Sequence, residues 1–262
     1  MKEATYRRLY RVLHSKESIS HLSKKFRMPE ELLLTILAQK IVRKTKKDYH
    51  IVKRQSKKLH REWKRGKTLL EISKEKRFSP ILMASFILTE DGISKREFRK
   101  FINNPKSIED RRLKIEILEI IENDMVYSPK GLEIQRVNGE FAESKIREWL
   151  ELKRISYATE TEIKREHKKT PDFLLEEVLK IDGRSINWIE SKASFGDKTQ
   201  MRRDYNQQLK HYLNLFGEGL VCYWNGFIDD RVGKVTNFYL DERISAANST
   251  LFRWGNGLNS RD

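Results

Sequence analysis

At 262 residues the chain can form two small domains, each able to bury a core. Hydrophobic residues make up 38% and charged residues 35%, with a mean hydropathy of -0.72, while 10% aromatics argues against disorder. No apolar run approaches membrane-spanning length and no charged-then-apolar leader is visible, so a soluble, unprocessed, cytoplasmic protein is expected, or a nuclear one in a eukaryotic source.

A single cysteine, Cys222, excludes an internal disulfide framework and a cysteine-based zinc site, and fits a reducing compartment. The formal net charge is +16. Between Arg43 and Lys67 twelve Lys/Arg stand against two acids, Asp48 and Glu62, a local net of +10. A block of that density beside helical segments is the footprint of a polyanion, and DNA is the expected partner. The alternative is a solvated helix face. Arg43, Lys44, Lys46, Lys47, Lys53, Arg54, Lys57 and Lys58 are the candidate DNA contacts, through phosphates and without reading sequence.

In chain order, residues 5–14 mix Arg7, Arg8 and Arg11 with Tyr6, Leu9, Tyr10 and Leu13 at helical spacing. Ser18 opens a short helix through Phe26, and after Met28-Pro29 a longer one runs from Glu30 to Val42. This helix-turn-helix plan is echoed further on. Leu22-Ser23-Lys24-Lys25-Phe26-Arg27-Met28-Pro29 resembles Ile72-Ser73-Lys74-Glu75-Lys76-Arg77-Phe78-Ser79-Pro80, and the apolar run Ile81–Leu88 follows. The competing reading is a pair of hairpins packed as a structural bundle. Ile108–Glu122 gives another helix, and residues 124–138, with Ser128-Pro129-Lys130-Gly131, read as a linker.

From Gly139 the pattern turns to mixed α/β. A helix is expected over Glu140–Leu152, β structure over Ile155–Ile163, a charged turn over 164–169, a strand from Pro171 to Leu179 and a hairpin turn at Asp182-Gly183. A strand over Ser185–Ala193, a polar segment to Asp204, a helix from Tyr205 to Phe216 and strands over Leu220–Phe227 and Val235–Leu240 follow. The expected fold class is therefore α+β in two domains: an N-terminal all-α helix-turn-helix bundle (1–123), a linker (124–138) and a C-terminal α/β domain with a central mixed sheet (139–262).

The chemistry concentrates at Thr170-Pro171-Asp172 and Trp188-Ile189-Glu190-Ser191-Lys192. On a strand, residues two apart share a face, so Glu190 and Lys192 project together. If the strand after Asp172 pairs with the strand ending at Lys192, Asp172 joins them. Two carboxylates suit a hard divalent cation that keeps several waters, and an adjacent ammonium orients a water or offsets phosphate charge. A lone Pro-Asp or Glu-x-Lys usually marks a surface turn; the pairing across a buried hairpin gives the motif its weight. The alternative for Lys192 is an ion pair with Glu190, which is compatible with a catalytic role because such a pair can rearrange when metal and DNA arrive. No Gly-x-x-x-x-Gly-Lys loop is present, so nucleotide hydrolysis is unsupported. The six histidines show no metal-binding spacing, and His167 sits in the charged turn.

Pro171-Asp172 followed by Glu190-Ser191-Lys192 resembles the PD-(D/E)XK nuclease superfamily, and more closely the TPD-motif family of archaea and eukaryotes, related to archaeal Holliday-junction resolvases. The resemblance implies a restriction-endonuclease-like C-terminal domain and a metal-dependent DNA endonuclease using Mg²⁺, with Mn²⁺ as a substitute. Asp172, Glu190 and the helix residue Glu143 are its implied metal ligands, and Lys192 supports the attacking water. Gln208-Leu209-Lys210-His211-Tyr212 resembles a Gln-x-x-x-Tyr element of some members and makes Gln208 a further catalytic candidate; Gln207 is an equally placed neighbour, and Tyr212 alternatively packs on the sheet. Arg202, Arg203 and Lys198 could hold phosphate or form a solvated loop. The resemblance further implies homodimers, because cutting two strands asks for two sites, and a protein partner in eukaryote-like systems. The rival class is a non-cleaving DNA-binding or scaffold protein on the same fold.

Overall fold

The computed structural model describes residues 1–164, 169–181, 184–228 and 250–254. Two compact units emerge, one of residues 1–37 with 137–262 and one of residues 38–136. The division expected at 124–138 is corrected on two counts. The first 37 residues group with the sheet, and residues 129–138 are helical rather than a linker.

The unit of residues 38–136 is all-helical. Helix α3 (Glu30–Arg54) enters it, and α4 (Ser56–Lys64) follows after a single break at Gln55. Then come α5 (Leu69–Lys76), α6 (Pro80–Glu90), α7 (Lys95–Asn103), α8 (Arg111–Asn123) and the start of α9 (Pro129–Leu152). Val52, Leu59, Trp63, Ile72, Met83, Ile87 and Ile117 belong to one apolar core. Its polar centre is Glu116, 3% exposed. Glu116 accepts from Trp63 Nε1 and the Leu69 amide at 2.9 Å each, and from Arg112 Nε at 2.7 Å, so one satisfied carboxylate ties α4, α5 and α8.

The repeat seen in the sequence has a local structural basis. Helix α2 (Ile19–Phe26) ends at Arg27 with φ 53°, and α5 ends at Arg77 with φ 48°. In both, the next amide reaches back to a serine carbonyl, Met28 to Ser23 at 3.1 Å and Phe78 to Ser73 at 3.0 Å. These are left-handed helix caps without the usual glycine. A helix starts directly after each.

The other unit carries α1 (Glu3–Val12), α2, the start of α3, most of α9 and a five-stranded sheet in the order β1 (Tyr157–Thr159), β2 (Phe173–Ile181), β3 (Arg184–Lys192), β4 (Gly219–Tyr223), β5 (Thr250–Trp254). The one-turn helix α10 (Glu160–Ile163) follows β1. β1, β2 and β3 are successively antiparallel, β3 and β4 are parallel, and β4 and β5 are antiparallel, so the sheet is mixed as expected. The parallel step requires a crossover. It is made by α11 (Lys198–Asp204), a π-helical turn (Tyr205–Leu209) and α12 (Lys210–Phe216). Helix α11 begins where a polar segment was expected, because Asp197 caps it by accepting from the Gln200 amide at 2.9 Å.

One face of the sheet is covered by a cluster with Ala142, Ile146 and Leu150 of α9 against Phe173, Ile189 and Leu220; the other holds Trp188, Leu209, Tyr212, Val221 and Tyr223. Helix α1 joins this unit through Tyr6, which stacks on Phe195 (5.5 Å between ring centroids) and donates to Asp197, and through the 3.1 Å Glu3–Lys198 ion pair. The turn at Asp182-Gly183, the strand expected over Val235–Leu240 and His167 lie outside the described residues.

Candidate active site

Strand pairing brings the motif residues together. Phe173 stands opposite Ile189 on the antiparallel β2–β3 ladder, so the preceding residue, Asp172, comes beside Glu190. Two hydrogen bonds lock the pair: the Asp172 amide donates to Glu190 Oε2 at 3.2 Å, and the Ser191 amide donates to Asp172 Oδ2 at 2.7 Å. Ser191 is held in turn by Trp224 Nε1, which donates to its Oγ at 3.0 Å. Two residues past Glu190 on the same strand face, Lys192 Nζ donates to Glu190 Oε1 and, at 2.9 Å, to Gln208 Oε1. The site is thus a carboxyl pair closed by one ammonium, with Gln208 behind it.

Burial governs its electrostatics. Glu190 is 2% exposed. Burial pushes the Asp172 carboxyl well above the usual range, and the adjacent Glu190 charge adds to this against the Ser191 hydrogen bond. Glu190 is likewise pushed up by burial, with Lys192 opposing. Burial works to lower the Lys192 ammonium, but Glu190 first and Asp172 and Asp204 behind it more than reverse this, so the lysine stays charged. Two like charges this close favour the protonated form until a cation arrives.

Gln208 reaches Lys192 from the π-helical turn, and turns of this kind are frequent at functional sites. Gln207 faces away: its carbonyl accepts from Lys169 and its Oε1 from Arg203 Nε at 3.1 Å. Tyr212 packs edge-on against Trp188 at 5.3 Å and is 2% exposed, which makes it a core residue. Lys198 is engaged by Glu3, and Arg203 by Gln207.

Glu143 on α9 is near enough for its charge to act on Asp172 and for Lys192 to act on it. Partial burial, then the Glu160 charge, raises its carboxyl. It does not join the pair: among the described residues no three His, Cys, Asp or Glu side chains converge closely enough to hold a metal. Asp172 and Glu190 are the two carboxylates that could hold a cation that keeps water on its other positions.

Asp204 was not foreseen. Its Oδ2 accepts from Tyr223 OH at 2.9 Å and its Oδ1 from Gln200 Nε2 at 2.8 Å, and its charge reaches both Glu190 and Lys192. Burial raises its carboxyl. The available signal was the four-residue spacing Gln200, Asp204, Gln208 along one helical segment.

In the helical unit, Lys44, Lys46, Lys47, Lys53, Arg54, Lys57 and Lys58 are exposed and Arg43 is half-buried. Lys44 pairs with Asp48. Thr45, Val52 and Leu59, at heptad spacing, are buried, so Lys46, Lys47, Lys53, Arg54 and Lys57 occupy the opposite side of α3 and α4.

A strand-paired Asp/Glu–Lys site beside an antiparallel hairpin is the setting in which the Thr-Pro-Asp motif stands. A family model described as protein of unknown function TPD sequence-motif matches residues 109–242, just over half of the chain, and the chain belongs to that family. Among individual proteins it is similar to the CDAN1-interacting nuclease 1 of Bos taurus, 36% identical over 170 residues that cover 62% of this chain and 60% of the relative. The proteins of the same name from Homo sapiens and Danio rerio are each 35% identical over 170 residues, covering 62% of this chain and 60% and 57% of those relatives. The match thus spans about 60% of the length of these curated relatives. No solved structure matches the chain significantly. Among the described residues no helix is long and apolar enough to cross a membrane.

Proposed function

We propose that the chain is a metal-dependent DNA endonuclease of PD-(D/E)XK type. The observation that carries this reading is the hydrogen-bonded Asp172–Glu190 pair, with Glu190 buried, Asp172 half-buried and Lys192 bonded to one of its members. The order of elements, a helix, three antiparallel strands, a helical crossover and a parallel fourth strand, supports a restriction-endonuclease-like domain. The printed name of the relatives, nuclease, points the same way.

Asp172 and Glu190 would hold Mg²⁺, or Mn²⁺ in its place, which when bound supplies Lewis-acid charge and an acidified water for attack on phosphorus. The Ser191 amide fixes the Asp172 carboxylate. Lys192, held by Gln208, offsets negative charge on the phosphate and orients the attacking water. Glu143 acts at the edge of the site through its charge on Asp172.

Residues 38–136 hold 26 Lys/Arg and 14 Asp/Glu, a net +12 of the chain's +16. The basic side of α3 from Arg43 to Arg54 is about 17 Å long at 1.5 Å per residue, and α4 continues the basic run. Its aromatic neighbours are turned inward, Trp63 buried and Tyr49 edge-on to Phe86 at 5.2 Å, so the face suits phosphates rather than base stacking. Homodimers and a protein partner of the kind named for the eukaryotic relatives belong to the same proposal.

The test is cleavage of labelled duplex, flap, single-stranded and four-way-junction DNA with Mg²⁺ or Mn²⁺, wild type beside Glu190→Ala. Metal-dependent cutting lost in the variant supports the enzyme. The feature favouring a non-cleaving DNA-binding protein is that Lys192 already occupies Glu190 Oε1, and binding without cutting on every substrate would select it.

A further inference from the structure

Thr170 is 5% exposed, and its Oγ1 is buried with no hydrogen-bond partner. The other such oxygen among the described residues, on Ser194, belongs to a half-buried side chain, whereas Thr170 as a whole is buried. The chain is pinned on both sides of it, by Lys169 on the Gln207 carbonyl of the π-helical turn and by Asp172 on Glu190 and Ser191.

Shape does not explain the hydroxyl. The residue before a proline is confined to extended backbone, which suits a β-branched side chain, and valine meets that demand with the same outline. A buried hydroxyl without a partner is a net cost that valine lacks. Its retention two residues before Asp172 calls for a ligand.

Three of the pair's four carboxylate oxygens are already engaged. Asp172 Oδ2 is engaged by the Ser191 amide, Glu190 Oε1 by Lys192 and Glu190 Oε2 by the Asp172 amide. A divalent ion held by two carboxylates keeps waters whose O–H groups need acceptors of their own. We propose that the Thr170 hydroxyl is a positioning group for a divalent aquo-ion, accepting a hydrogen bond from a water that the ion retains. The proposal rests on the metal-dependent reading of Asp172 and Glu190.

The full chain, free of metal, is melted and then titrated with Mn²⁺ alone, the free ion being read by electron paramagnetic resonance. Wild type is compared with Thr170→Val, Thr170→Ser and Asp172→Asn. The expected result for Thr170→Val is a melting temperature equal to or above wild type together with Mn²⁺ binding weakened roughly tenfold, the scale of outer-shell losses. Thr170→Ser restores binding. Thr170→Val that binds as wild type does, while Asp172→Asn does not bind, overturns this proposal alone. Thr170→Val that melts lower would mean that the hydroxyl serves the fold, and overturns it as well. A wild-type chain that binds no Mn²⁺ overturns it together with the metal-dependent reading.

Discussion

The backbone of Asp172 holds the side chain of Glu190, amide to Oε2 at 3.2 Å, so the entry of one strand fixes the carboxylate of the next. Both carboxyls are raised chiefly by burial, and Asp172 further by the Glu190 charge. A carboxyl with a higher pKa folded than unfolded binds its proton in the native state first, so its contribution is greatest at low pH. That contribution is lost as pH climbs from the ordinary carboxylate range of about 4 into the neutral range. The metal-free chain should therefore melt several degrees lower at pH 8 than at pH 5, since about 1 kcal/mol moves a chain of this size by about 2–4 °C. Asp172→Asn should flatten the dependence, and Mn²⁺ should restore the loss at pH 8. A melting temperature that rises steadily to pH 8 without metal would contradict the raised carboxyls.

Gln208 accepts from Lys192 and leaves the carboxylates untouched. Gln208→Ala should lower cleavage about 10–100-fold, as loss of an outer support does, with duplex affinity unchanged. Gln208→Glu, which still accepts from the ammonium, should keep more activity than the alanine variant. Equal losses in cutting and binding would place Gln208 on the DNA instead.

What the sequence made legible was local. The Glu190-x-Lys192 pairing follows from strand alternation, and the repeat at Ser23 and Ser73 foretold two matching helix ends at Arg27 and Arg77. Gln208 was separated from Gln207 only by a family resemblance; the π-helical turn that orients it leaves no pattern in composition. Helix α9 was hidden by Pro129, Gly131 and Gly139, each a breaker by itself. Pro129 sits harmlessly at the helix start, and a Cβ on Gly131 would lie 2.5 Å from the Met125 carbonyl, so close packing on the preceding turn demands that glycine. The place of α1 was illegible for a different reason. Tyr6 meets Asp197 and Phe195 about 190 residues further along, and no local signal encodes such a contact.

The basic side of α3 and α4 predicts a salt-sensitive grip. Replacing Lys46, Lys47, Lys53 and Arg54 together by alanine should weaken duplex binding at least tenfold at moderate salt. The slope of log affinity against log salt should become shallower by about 3–4, near 0.9 for each phosphate contact removed. These positions are exposed on α3, whose Val52 is packed into the core, so the melting temperature should hold. Fluorescence anisotropy over a salt series measures both quantities, and an unchanged slope would remove this face from the DNA.

Gly219 opens β4 directly against Trp188: a Cβ placed there would lie 2.0 Å from the indole ring. Trp188 cannot yield easily, being fully buried, bonded through Nε1 to the Gly217 carbonyl at 2.9 Å and packed edge-on to Tyr212. Gly219→Ala should therefore cost about 3 kcal/mol or more in urea unfolding, at the upper end of overpacking losses. Because Trp188 precedes Glu190 by two residues on β3, the strain is delivered to the strand that carries the site. Trp188→Phe removes the clashing ring and should make the double variant less destabilised than the sum of the two single changes, a coupling expected of residues in contact. Strict additivity would mean that the indole ring is not what excludes a side chain at this position.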